Sequence, residues 1–183
     1  GTNENYRNLI NALGENDMNI SLAFGTLVME TTTKEITSRV KTQADLRGLT
    51  TRIVENFKDL PHLFGYYIYD EMNAMRYGEQ TAWARKIIES IDLDHPTLCA
   101  IDNPISYRPG VYSKTSDFLG LDPYPVTGKP DQDISLVYDR ISESKALNPN
   151  RPVYCIMQGF WYNTRGDLRS PNKEEFRNMA FQA

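Results

Sequence analysis

Two adjacent carboxylates, Asp70 and Glu71, close an apolar and aromatic run, Leu63 to Asn73 (LFGYYIYDEMN). Acids are almost never buried without a partner or a task, so a strand that ends on two of them directs its C-terminal end at something polar. Three later runs also end in hydrogen-bonding side chains: TLCAIDN in Asp102 and Asn103, DFLGLDPYP in Asp122, and VYCIMQGF near Gln158. The chemistry these residue types support is that of carboxylates, in which one acid holds or releases a proton while a second group bears charge or activates water. Side chains alternate along a strand, which puts Glu71 on the face of Tyr67 and Tyr69 and Asp70 with Tyr66 and Ile68. On that count Glu71 enters the site and Asp70 supports it. Other chemistries lack their residues. No His, Cys or Asp cluster has metal-ligand spacing, no Gly-x-Ser-x-Gly elbow occurs, and no Gly-rich phosphate loop follows a strand. No cofactor or metal is therefore expected.

The elements that must position these groups alternate without a break. Helices are expected over Tyr6–Glu15, Asp45–Leu60, Gly78–Ile91, Asp133–Leu147 and Glu174–Ala183, each with apolar residues at helical spacing. Ser170-Pro171 reads as the cap of the last one. Strands are expected over Ile20–Leu27, Leu63–Asn73, Thr97–Asn103, Asp117–Pro125 and Val153–Phe160. Thr31–Glu35 and Pro104–Ser116 read as connections, and a polar loop with Trp161 and Tyr162 follows the last strand. Such β-α alternation argues for a parallel sheet, and a doubly wound sheet or a (β/α)8 barrel both satisfy it. In a barrel all the polar strand ends converge on one rim. His62 and His95 precede strands and so belong to the opposite, structural rim. Cys99 and Cys155 fall inside strands, match no zinc or redox spacing, and read as buried thiols.

The 183 residues suffice for one domain, 1–183, with a sizeable core. A net charge of −4 without a basic patch argues against a nucleic-acid partner. No apolar run approaches the roughly 20 residues of a membrane span.

These residues have a familiar arrangement. LFGYYIYDEMN resembles the fourth-strand motif of bacterial (β/α)8-barrel glycoside-hydrolase-like proteins, in which a Gly-aromatic strand ends in Tyr-Asp-Glu. In that family Pro often follows, and Met72 takes its place here. DFLGLDPYPV resembles the sixth strand of that group, and RPVYCIMQGF with the later SPNKEEFRNMAFQA its seventh strand and following helix. The resemblance runs from about Asp45 to the end and implies a TIM barrel present in part. The five strands would be the third to the seventh, so the chain is expected to be a fragment whose remaining barrel strands belong to the parent chain. A full barrel takes about 250 residues.

The implied activity is hydrolysis of O-glycosidic bonds in a poly- or oligosaccharide. Glu71 corresponds to the acid/base, and Asp122 is the candidate second carboxylate, because the place of the usual seventh-strand nucleophile holds Gln158. The spacing of the two carboxyls would separate a retaining from an inverting mechanism. Asp70, Asn73, Asp102, Asn103, Tyr124, Gln158, Trp161 and Tyr162 are the implied carbohydrate-binding residues. A secreted or periplasmic location is expected. A barrel that binds carbohydrate without cleaving it, and a carboxylate-dependent lyase or isomerase, stay open.

Overall fold

The computed structural model describes residues 3–24, 42–72, 74–101, 109–126, 133–161 and 169–183. The elements in chain order are α1 (Asn3–Gly14), β1 (Ile20–Ala23), α2 (Gln43–Phe57), β2 (Leu63–Met72), α3 (Ala74–Glu89), β3 (Thr97–Ile101), α4 (Pro109–Thr115), β4 (Phe118–Leu121), α5 (Leu136–Leu147), β5 (Val153–Cys155) and α6 (Lys173–Gln182). All five strands are parallel, and they lie side by side in sequence order, β1-β2-β3-β4-β5. A doubly wound sheet reverses its strand order at a switch point. This sheet never reverses, and it is part of a (β/α)8 barrel wall.

The helices cover one face because their apolar stripes require it. Leu46, Ile53, Val54 and Phe57 of α2 are buried, with Thr50 among them. Ala84, Ile87 and Ile88 of α3 continue the same core, joined by Val137 and Ile141 of α5 and Met179 of α6. The sheet contributes Cys99 and Ile101 from β3 and Leu119 and Leu121 from β4, with Val153 and Cys155 of β5 packed against them. Those pairs stand opposite one another in register: Cys99, Leu119 and Val153 in one row, Ile101, Leu121 and Cys155 in the next. Truncating a fully buried member such as Ile88 costs about 2–5 kcal/mol. The two cysteines are free thiols on strands separated by β4. Burial, and next the Asp122 charge, push the Cys155 thiol up to about 11.

The alternate row carries Ala100, Gly120 and Tyr154. A β-carbon on Gly120 would fall 2.4 Å from the Tyr154 ring. The glycine is what lets that ring lie flat across β4.

The rim at the strand N-termini is tied by two carboxylates. Asp92 Oδ2 accepts the Tyr66 hydroxyl at 2.5 Å and meets His95 Nδ1 at 2.8 Å, while Oδ1 accepts the Asp94 and His95 amides. Asp117 Oδ2 accepts the Thr97 amide at 2.9 Å and hydroxyl at 2.8 Å, and Oδ1 takes Arg85 at 2.6 Å. Burial works to raise both acids, but these donors outweigh it and leave each below the usual carboxylate range. His95 therefore belongs to the structural rim, and so does His62, whose ring occupies the space beside Gly14.

Four expectations change. Residues 109–115, read as loop, form α4, a short helix opened by Pro109 and anchored by buried Tyr112 and Thr115. Its single apolar turn is too short to show a period. The cap of α6 is Asn172, not Ser170: Asn172 Oδ1 accepts from Glu175 N, and Glu175 returns a bond to Asn172 N. Strands β4 and β5 both end early, at Leu121 and Cys155 rather than at Pro125 and Phe160. The fourth change concerns the alternation of β2. The first strand's end and the Thr31–Glu35 connection lie outside the described residues.

Candidate active site

Strand β2 does not keep period two to its end. Tyr67 pairs with Leu98 and Tyr69 with Cys99, so two steps on β2 match one on β3, and a second slip follows before Met72 meets Ile101. Such bulges re-aim the side chains beyond them. Tyr66, Ile68 and Tyr69 all enter the helix-side core. Asp70 consequently turns to the side of Tyr67, whose hydroxyl donates to Asp70 Oδ1 at 2.6 Å. Simple alternation had grouped Asp70 with Tyr66 and Ile68, and the bulge corrects that. Glu71 then adopts a left-handed backbone, φ 47°, and is exposed. A non-glycine residue in that region marks local strain of the sort that clusters at functional sites.

The carboxylates gather around tyrosines. Burial pushes the Tyr67 phenol up, and its bond to Asp70 adds to the effect. Tyr154 is raised first by burial, then by its surroundings, which include Asp70 and Asp122. Tyr124 is raised by burial and by the charges of Asp122, Glu71 and Asp70, and its hydroxyl is bonded to Asp122. A single tyrosine thus senses all three carboxylates, from the ends of β2 and β4. That is the convergence on one rim which barrel geometry imposes. The prolines at 123 and 125 hold the chain extended through Tyr124.

Aromatic rings wall one side. The Tyr124 and Phe160 rings meet edge to face, 4.9 Å apart. Trp161 follows, 62% exposed. An exposed indole on the rim offers a flat apolar face with a polar edge.

Gln158 is placed differently from its expected part in ligand binding. It is fully buried, and its amide is bonded to the backbone of Val126 and Phe160. Asn73, Asp102, Asn103 and Tyr162 lie outside the described residues. Among the described residues, no group of three His, Cys, Asp or Glu stands close enough to hold a metal ion, and no helix is long and apolar enough to cross a membrane. Sequence reading missed Tyr67 and Tyr154 as site residues. The i, i+3 spacing of Tyr67 and Asp70 gives no signal in a regular strand, and only the bulge brings them together.

No protein-family model matches the chain, and no curated protein does. Solved structures do. A cold-adapted beta-galactosidase from Rahnella sp. R3 superimposes with a TM-score of 0.72 over 99% of this chain and 41% of its own, at 12% identity. A glycoside hydrolase family 5 protein from Bacteroides vulgatus gives 0.59 over 77% of this chain and 32% of its own, at 16% identity. A Ruminococcus gnavus beta-glucuronidase in complex with D-glucuronic acid gives 0.56 over 80% and 28%, at 17% identity. At these identities the likeness is one of fold: the chain has the architecture of glycoside hydrolase barrels. It spans well under half the length of each of these structures.

Proposed function

We propose that the chain is the acid-bearing part of a barrel that hydrolyses O-glycosidic bonds. The observation behind this reading is the set of three carboxylates, Asp70, Glu71 and Asp122, sensed together by Tyr124 at the C-terminal rim. In the proposed mechanism Glu71 protonates the leaving oxygen as the sugar bond breaks. Its place at the strained, exposed end of β2 gives it access to a ligand. Asp122 supplies the second carboxylate, as base toward water or as nucleophile according to its distance from Glu71. The Tyr124 hydroxyl is bonded to Asp122 and helps to fix its carboxyl group on the rim. Asp70, held by the Tyr67 hydroxyl, precedes Glu71 at the same strand end. Trp161 stacks on a sugar face.

The test is turnover of p-nitrophenyl glycosides by the intact protein, beginning with β-galactoside and β-glucuronide because the structural neighbours are enzymes of those names. Glu71→Gln and Asp122→Asn should each lower kcat by about 100-fold or more, with glycan binding retained. Undiminished turnover in Glu71→Gln would refute the assignment. A second reading is a barrel that binds carbohydrate without cleaving it: residue 158, where the resemblance implies a nucleophile, is an amide turned into the Val126 backbone and supplies no carboxylate. Sugar affinity without turnover on the whole panel would select that reading.

A further inference from the structure

Strands β4 and β5 pair in register only as far as Leu121 and Cys155, with one more bond from Ile156 N to Leu121 O. Beyond that point Pro123 and Pro125 have no N–H to offer, and a main-chain ladder cannot continue. Gln158 stands at this gap. Its Oε1 accepts the Val126 N–H at 2.9 Å, and its Nε2 donates to the Val126 carbonyl at 2.7 Å and to the Phe160 carbonyl at 3.3 Å. One primary amide thus gives Val126 the donor and the acceptor that a neighbouring strand residue would give it. Both Gln158 and Val126 are fully buried.

We infer that Gln158 is a positioning residue, a side-chain continuation of the sheet that seats the Tyr124–Val126 segment against Phe160 and so sets the tyrosine that contacts Asp122. The inference rests on the proposed site at Asp122 and Tyr124. A carboxylate cannot take this place. It accepts hydrogen bonds and donates none when ionised, and it would face the carbonyl oxygens of Val126 and Phe160 with no water to screen it. The amide at 158 is therefore demanded by this seat, whatever the origin of the residue.

The decisive variant is Gln158→Glu, because protonation restores a donor. At pH 8, Val126 amide hydrogen exchange should be about tenfold or more faster than in the wild type. At pH 4 the neutral carboxyl donates once and accepts once, and protection should return to the wild-type level. Gln158→Met should lack protection at both pH values. Equal protection of Val126 in Gln158→Glu and wild type at pH 8 would overturn the clamp. If Gln158→Glu fails to fold, the wild type decides: its Gln158 side-chain amide protons should exchange at least about 100-fold slower than those of a free amide, and free exchange would overturn the clamp.

The positioning role has its own readout. With labelled tyrosine, the Tyr124 phenol should titrate closer to its ordinary value in Gln158→Met than in wild type, since release of the segment returns the ring to water. An unmoved titration would reduce Gln158 to an anchor and overturn the role. None of these measurements uses a sugar. Glu71→Gln should leave Val126 protection unchanged, so failure of the hydrolase reading and failure of the clamp are told apart.

Discussion

The two rims of this sheet treat their acids in opposite ways. At the N-terminal rim, Asp92 gathers a phenol, an imidazole and two amides, and Asp117 gathers a threonine at two points and an arginine. Each is held below the usual range, so its charge serves the fold. At the C-terminal rim, Asp70, Glu71 and Asp122 stand among tyrosines whose phenols are pushed upward by burial and by those same charges. There one tyrosine, Tyr124, feels all three charges, and the backbone of Glu71 is strained. The difference separates carboxylates that fasten the turns into β3 and β4 from carboxylates placed where a ligand is expected. Asp92 and Asp117 precede strands whereas Asp70, Glu71 and Asp122 end or follow them, so the rim of each is legible in the sequence, but the donors that hold the first two are not.

The sharpest way to break the contrast is to remove a lower acid. Asp92→Ala strips partners from Tyr66, His95 and two amides and should cost about 3 kcal/mol in urea unfolding. Its pH dependence follows from sign. Asp92 is lowered in the fold, so its contribution is complete above the unfolded value, about 4, and disappears as pH falls through the lower folded value. Asp92→Asn should therefore lose less stability than wild type on acidification below about pH 4. A smaller effect, about 1–3 kcal/mol, is expected of Gly120→Ala, whose new methyl collides with the Tyr154 ring. Its tyrosine resonances should shift with the loss.

A helix cap gives a third test, away from both rims. Glu175 is drawn down to about 2 by the Arg169 guanidinium at 2.6 Å, with the Asn172 amide adding to it. Glu175→Gln should cost about 1 kcal/mol at neutral pH, a cost that shrinks as pH falls through about 2, where the wild-type carboxyl takes up its proton. The smallest effect has the opposite direction. Glu71→Gly relieves the left-handed backbone and should raise stability by about 0.5–1 kcal/mol, seen as a higher Tm, while abolishing any turnover. Stability that fell instead would place Glu71 with the lower acids and erase the contrast.

Most of the architecture was legible because it rests on periodicity. The stripes of α2 and α3 and the near-continuous apolar runs of β2 to β4 are local signals, and their alternation restricts the fold to parallel sheets. The sequential strand order that makes the sheet a barrel wall is a tertiary fact, and only the resemblance anticipated it. Glu71, Asp122 and Tyr124 stand out as candidates from strand ends, where geometry concentrates polar groups. The place of Asp70 was not legible, because a bulge is set by the register of the neighbouring strand. The partners of Gln158 were not legible for the same kind of reason. Its position at a strand end suggested a ligand contact, whereas the two prolines of β4's exit had left a gap in the ladder that a side chain of this reach and chemistry fills.

The unbroken strand order bears on how the chain folds. Each strand pairs with the one before it and the one after it in sequence, so no ladder between them closes a loop longer than a single β-α unit. Loop closure of that kind has a small entropic cost, and contact order largely sets folding speed. Assembly can begin at β2, α3 and β3, where the buried aromatics and the Asp92 network are concentrated, and extend one unit at a time in either direction. The contact that completes the C-terminal rim, between Tyr124–Val126 and Phe160, is then made late, once β5 has docked and Gln158 can reach across to Val126.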